Sequence, residues 1–567
     1  MSLSKKHSLL LIALGAIFFF PFLGHVHLFD WDEINFAESA REMIESHDYF
    51  RVQINYEPFW EKPPFFFWLQ VISMKLFGIN EFAARFPNAL LGIISLVTLY
   101  HIGKKLISNK FGLIWSLVYL ASFLPHMYFK SGIIDPFFNF FIFLSIFFLI
   151  LTIEKPTSRK TNALISGVFI GLAIITKGPV GLLLLVLTLV VYLVAKKGKA
   201  TIKPMAVFIF FLSSLCVTFL WFGYETITNS PWFILEFIQY QIELLTEPVA
   251  GHQQPFYYHF VVVLLGCFPM SILAIPLLFK KQHNIPYNFL FWMKILFWVV
   301  MILFTVVETK IVHYSSMSYL PLSFISAVYI YFFLTEEKLN LERKIVKISM
   351  LIIGLVFGIL LTAVPILFKN HHLITPYIKD EFAVASFQNP INWGGWEFIF
   401  GVFFLVGLVG AMIFLNKQKI THFLAVLIVS TGITLLGYSI FVVPKIEEFS
   451  QGPAIDFYKS MQGKDVYVTT VGFKSYGHYF YTLFPPRKIE DGIEILKNEY
   501  KESLQNPNEY DANYVQSKTN EWLLKGNIDK DVYLVTKVTK REEMKRYTDI
   551  SFIENKGGFD FYIRKHN

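Results

Sequence analysis

The chain has 567 residues, of which 54% are hydrophobic, 18% aromatic and only 16% charged. A soluble domain carries about 25% charged residues, so a soluble globular protein is excluded. The formal charge of +8 does not mark a nucleic-acid binder either: from Lys445 onward 19 Lys and Arg meet 19 Asp and Glu, and the excess lies in short loops between apolar stretches, where it reports orientation.

Ser8 to Phe29 is free of Asp, Glu, Lys and Arg and is long enough to span a bilayer, which takes about 20 residues. It ends in bulky residues without a small-residue cleavage site, so it reads as a retained helix. "FDWDEINFAESARE" follows at once and opens a long first loop over 30–87. Phe36, Ala37, Ala40, Met43 and Ile44 recur there at helical spacing. Pro63-Pro64 then opens a second helix, "FFFWLQVISMKLFG", stopped by Gly78. Both are expected to lie in the membrane interface with their aromatics at headgroup depth.

Twelve more apolar segments follow, at 88–102, 111–129, 136–153, 162–176, 179–195, 204–222, 256–279, 289–307, 314–334, 345–368, 396–415 and 420–443. With the first they make 13 expected spans. One alternate set of loops is basic throughout, including Lys104, Lys105, Lys196, Lys197, Lys280, Lys281, Arg343 and Lys344. That side is read as cytoplasmic. The loop from Gly223 to Pro255 has four Glu and no Lys or Arg, and it falls on the other side with the first loop and the tail. The expected architecture is an all-α polytopic membrane domain, 1–444, followed by a small α/β domain, 445–567, outside the cytoplasm. In the tail, "KDVYVTTVGF", "KDVYLVTKVT" and "GGFDFYIRK" alternate at strand period around helical "GIEILKNEYKESL". Without a metal-ligand spacing or a Gly-rich phosphate loop, it is expected to be accessory.

Polar groups gather at the outer ends of the spans: Asp32, Glu33, Glu61, Lys62, Lys130, Asp135, Lys177, His252, Lys310, His313 and Tyr314. Each has a bland reading. Asp32 would N-cap the interfacial helix, and Asp135 before Pro136 is a better capping pair still. Lys130 and Lys177 would snorkel, and His252 alone would be an ordinary loop histidine. Together, on one face only, they suggest more. Cations at headgroup depth suit a lipid phosphate. Carboxylates beside them suit proton abstraction from a hydroxyl, or a divalent cation held by Asp32 and Asp135.

The stretch from "WDEINFAESAREMIES" through "YEPFWEKPPFFFWLQVISMKLFGINEFAARFPNALLG" resembles the first loop of the ArnT-like and protein O-mannosyltransferase superfamily. The similarity continues in order through "SGIIDPFFNFF", "ITKGPVGLLL", "AGHQQPFYYHFVVVLLGCFP" and "ETKIVHYSSMSYLPL". These are membrane glycosyltransferases of the GT-C fold that use polyprenyl-phosphate sugars. The resemblance implies that Asp32, Glu33 and Asp135 are the acidic catalytic group. It implies that Glu61 and Lys62, in the "EKP" motif, meet the carrier phosphate. Lys177, His252, Lys310, His313 and Tyr314 would complete the binding site. Two positions depart from the family pattern: Asn35 and Phe36 follow the first acids where many members have Arg-Tyr, and "IQYQIELL" offers Gln241 and Leu244 where many have His and Arg.

The expected function is transfer of a sugar, with inversion, from a polyprenyl-phosphate donor in the inner membrane to an extracytoplasmic acceptor. Lipid A or another envelope glycolipid is the acceptor read first, and protein hydroxyls second. A lipid-linked sugar flippase is the reading from another class. It would place ionisable residues near span centres and show an internal repeat, whereas here they cluster at outer span ends and no repeat is visible.

Overall fold

The computed structural model describes residues 2–59, 61–197, 202–229, 232–246, 254–280, 285–332, 334, 341–504 and 512–566. Each predicted span contains a helix. Among the described residues eight helices are long and apolar enough to cross a bilayer: Glu81–Leu106, Asp135–Glu154, Pro156–Lys177, Pro204–Thr228, Pro286–Val306, Glu342–Lys369, Ile399–Asn416 and Ile420–Glu447. The other five predicted spans are shorter or interrupted. The first helix, Leu3–Phe19, stops just before Pro21, which disfavours the helical conformation in the residue ahead of it. Asn109–Leu120 breaks before Phe123–Tyr128. Tyr258–Gly266 and Met270–Phe279 are separated at Pro269. Val180–Ala195 is 16 residues long, and Tyr319–Phe332 begins only after a 3-10 turn, Val312–Ser318.

The membrane core is packed with aromatic side chains. Phe324 meets Phe111, Trp115 and Phe289 edge to face, with ring centroids 4.7–5.5 Å apart, a favoured geometry for aromatic pairs. Asp135–Glu154 packs against the helix ending at Lys177, which packs in turn against Pro204–Asn229. These three helices thereby form one packed layer.

The first loop forms both predicted helices, Asp32–Ser46 and Phe65–Phe77, joined through a two-residue hairpin ladder. They differ from each other in setting. Phe65–Phe77 leaves an apolar edge open, with Ile72 and Leu76 exposed. Asp32–Ser46 is buried from Glu33 to Met43, so protein covers it on more than one face. Its apolar side chains share a core with Phe66 and Phe67 below and with Tyr458, Phe480, Tyr481 and Phe561 of the tail above.

The tail holds a four-stranded sheet in the order Tyr467–Val471, Val532–Lys537, Phe559–Arg564, Ile550–Lys556, with the first pair parallel and the rest antiparallel. The three predicted strands are present, as is the helix Gly492–Ser503. The edge strand Ile550–Lys556 escaped prediction because its side chains are mostly exposed and lack the apolar alternation of a half-buried strand. Its turn is Gly557-Gly558, both at positive φ, as a tight hairpin requires. The last span runs through a π turn to Glu447, so the predicted 444/445 boundary falls inside its final turn. The tail is bolted to the first loop by Leu28 N–H donating to the Tyr481 hydroxyl at 2.7 Å, by Arg41 and Tyr56 donating to the Phe484 carbonyl at 3.0 Å, and by a buried Lys497–Glu57 ion pair at 2.8 Å.

Candidate active site

A cavity of about 930 Å³ opens where helix ends of the bundle meet the first loop and the tail. Its wall takes Asp32, Glu61 and Lys62 from the first loop, Asp135 and Asn139 from one span, and Lys177 from the next. His313 and Tyr314 come from the 3-10 turn, and Tyr240 and Gln241 from helix Trp232–Thr246. Most of the residues singled out in the sequence therefore converge on one chamber.

Local structure explains how they get there. Asp32 and Asp135 each open a helix, but neither side chain caps it. The capping readings fail and both carboxylates are free for other partners. Lys177 ends its helix and is followed by Gly178 at φ +108°, a conformation that glycine tolerates best. The turn presents the Lys177 ammonium to Asp135 Oδ1 at 2.7 Å. It also stands 5.2 Å from the centre of the Tyr314 ring. Asn139, one turn beyond Asp135, donates to the Ser316 hydroxyl at 2.7 Å, and Ser316 donates to the His313 carbonyl. That chain of bonds sets the imidazole between the acids, with Nε2 3.4 Å from Asp32 Oδ2 and 4.0 Å from Asp135 Oδ2. Lys62 lies 3.8 Å from Glu61 Oε2 and over the Tyr240 ring, and the Tyr240 hydroxyl donates to that same carboxylate oxygen at 2.9 Å.

Burial sets the charges. It pushes the His313 imidazole below the usual histidine range, and the lysines Lys177 and Lys62 add to that, overcoming the pull of Asp135 and Asp32. His313 is thus neutral at pH 7. Burial also lowers the Lys62 ammonium, against the opposing pull of Glu61 and Asp32. Asp32 is the most open acid here, 37% exposed against 4% for Asp135.

Two expected members sit differently, although Glu33 also lines the cavity. Glu33 is gripped by Arg85 through Nε at 3.0 Å and Nη2 at 2.7 Å, and accepts the N–H groups of Phe29 at 3.0 Å and Gly132 at 2.5 Å. Burial raises its carboxyl, but Arg85 outweighs that and holds it below the ordinary range. Its oxygens are committed to holding the loop against the bundle, which suits a structural role rather than a reacting one. Lys310 is buried and donates to the Val307 carbonyl at 2.8 Å, and the wall takes Thr309 and Ile311 from that stretch instead. His252 lies outside the described residues. Lys130 does not snorkel: its ammonium donates to the carbonyls of Phe18, Phe19 and Pro21 at the end of the first helix, satisfying groups that a helix terminus leaves open.

The divalent-cation reading finds little support in these donors. Among the described residues no three His, Cys, Asp or Glu side chains are grouped to hold a metal ion, and Lys177 already neutralises Asp135. Sequence reasoning missed Trp31, Tyr240, Lys474 and Tyr476, all of which line the cavity. The last two belong to the tail, which is part of the site and not accessory to it. An isolated Lys in a tail of balanced charge gives no signal in the sequence.

Comparison with known proteins agrees with this geometry. Residues 61–222 match the dolichyl-phosphate-mannose-protein mannosyltransferase family model. An undecaprenyl phosphate-alpha-4-amino-4-deoxy-L-arabinose arabinosyl transferase of Wigglesworthia glossinidia brevipalpis is 28% identical over 66% of this chain and 67% of its own. The crystal structure of ArnT from Cupriavidus metallidurans bound to undecaprenyl phosphate superposes with a TM-score of 0.75 at 17% identity, covering 99% of this chain and 98% of that one. The chain is thus similar in sequence to the arabinosyl transferases and shares the fold of that ArnT structure. The archaeal oligosaccharyltransferase AglB from Archaeoglobus fulgidus is a more distant likeness, with a TM-score of 0.52 at 10% identity. The likeness to the ArnT structure covers both the helical domain and the small sheet domain.

Proposed function

We propose that the chain is a polyprenyl-phosphate-sugar-dependent glycosyltransferase that works on the outer face of the inner membrane. The observation that carries this reading is the single chamber in which Asp32, Asp135, Lys62, Lys177 and His313 meet at one end of a membrane bundle. The names of its relatives support undecaprenyl phosphate as the carrier.

In the proposed reaction Lys62 holds the carrier phosphate. Asp32, open and next to a neutral imidazole, takes the proton of the acceptor hydroxyl. The acceptor oxygen bonds to the anomeric carbon as the bond from that carbon to the phosphate oxygen breaks. Polyprenyl phosphate leaves from the opposite face, so the configuration inverts. The buried Asp135–Lys177 pair positions His313 and the floor of the chamber, and no step runs through a metal ion.

Lipid A or another envelope glycolipid is the acceptor read first, because arabinosyl transferases are among the relatives that match about two thirds of the chain. Protein hydroxyls are the second reading, favoured by the mannosyltransferase family match over residues 61–222. Mass spectrometry of envelope lipids and glycoproteins, from cells with and without the gene, decides between them. A sugar lost from lipid upholds the first reading, a sugar lost from protein upholds the second, and unchanged lipids and proteins refute both.

A further inference from the structure

Three lysines line the cavity, and two of them have a carboxylate within 4 Å: Lys62 has Glu61 at 3.8 Å and Lys177 has Asp135 at 2.7 Å. The third, Lys474, has none among the described residues. It is held instead by two aromatic rings, with Nζ 5.3 Å from the centre of Trp31 and 5.4 Å from that of Tyr476, within the range of cation–π attraction. Those rings meet edge to face at 5.9 Å, so they form a preset corner. The corner is itself pinned, because the Asp30 carboxylate accepts the N–H of Tyr476 at 3.1 Å. Asp30 is thereby turned to the backbone of this segment and leaves the ammonium without an ion-pair partner at contact distance.

An exposed ammonium set on aromatic rings beside a reaction chamber is suited to an oxyanion. We propose that Lys474, Trp31 and Tyr476 form a phosphate-binding subsite contributed largely by the C-terminal domain, distinct from the Lys62 position. This rests on the glycosyltransferase reading and deepens it: a substrate phosphate is held from the tail side while Lys62 holds its ligand from the first loop. The phosphate belongs either to the polyprenyl carrier or to a phosphorylated lipid acceptor.

Binding measured on the purified full-length protein in detergent separates these sources. The probes are undecaprenyl phosphate and lipid A carrying its phosphates, each titrated against wild type, K474A and K474R. Loss of a charge-assisted contact is expected to weaken one probe about 10- to 100-fold in K474A, with K474R close to wild type. Loss for undecaprenyl phosphate assigns the subsite to the carrier, and loss for lipid A assigns it to the acceptor. Wild-type affinity of K474A for both probes, in protein of unchanged melting temperature, overturns the subsite. Failure of wild type to bind undecaprenyl phosphate overturns the donor reading instead, and the lipid A titration then still decides for or against Lys474. Failure of wild type to bind either probe overturns both.

Discussion

The Nε2 atom of His313 lies 3.4 Å from Oδ2 of Asp32. Asp32 makes no cap to its own helix, so replacing it with Asn removes charge without removing a structural bond. Asp32→Asn is expected to keep the wild-type melting temperature and to lower transfer about 10²- to 10⁴-fold, the usual size of general acid–base catalysis. Transfer at the wild-type rate would move the base to Asp135.

Glu33 makes the opposite demand. It neutralises the buried Arg85, and removing one partner of a buried pair costs about 3–5 kcal/mol. Glu33→Gln is expected to lower the melting temperature well below that of Asp32→Asn. Equal melting temperatures for the two variants would refute the division between a structural and a reacting acid.

In the proposed reaction Lys62 holds the carrier phosphate. Lys62→Ala should lose about 1.5–3 kcal/mol of binding, read as a 10- to 100-fold weaker affinity for undecaprenyl phosphate in well-folded protein. An unchanged affinity refutes the assignment.

His313 has its pKa lowered by burial, and the sign of its effect follows. The folded protein holds this imidazole neutral at pH 7. As pH falls below about 6.5 the unfolded chain takes up a proton that the folded chain refuses, so stability from this group is present above that pH and lost below it. Inside the site, a protonated His313 would also ion-pair Asp32 and quench it as a base. The rate should therefore fall on the acid side of neutrality, and His313→Asn should move that fall to lower pH. An acid limb that stays in place in His313→Asn assigns it to another group.

Topology is checked by labelling. In a variant with Cys216 and Cys267 replaced by Ala, single cysteines at Lys104 and Lys518 are exposed in intact spheroplasts to an impermeant maleimide. Labelling at 518 and not at 104 is expected. The reverse pattern inverts the orientation.

Much of the site was legible in the sequence because charge in a hydrophobic chain is conspicuous. Asp32, Lys62, Asp135, Lys177 and His313 stood out against apolar neighbours, and all line the chamber. What the sequence hid was pairing. Nothing near Glu33 announces Arg85, which lies in another element and pairs with its carboxylate. Lys310 shares its motif with His313 yet points to a backbone carbonyl, because three residues along a non-helical segment do not share a face. The first-loop helix was read as interfacial from its apolar spacing, which specifies that one face is buried and not what covers the other.

The cover over that helix has a consequence for how the molecule comes into being. Tyr476 and Lys474, in the last stretch of chain to be made, are walls of the same chamber as Asp32 near its start. During synthesis the acids and the bundle exist before the chamber does. A chain cut before the sheet domain lacks the Lys474 and Tyr476 walls and leaves the chamber open on that side.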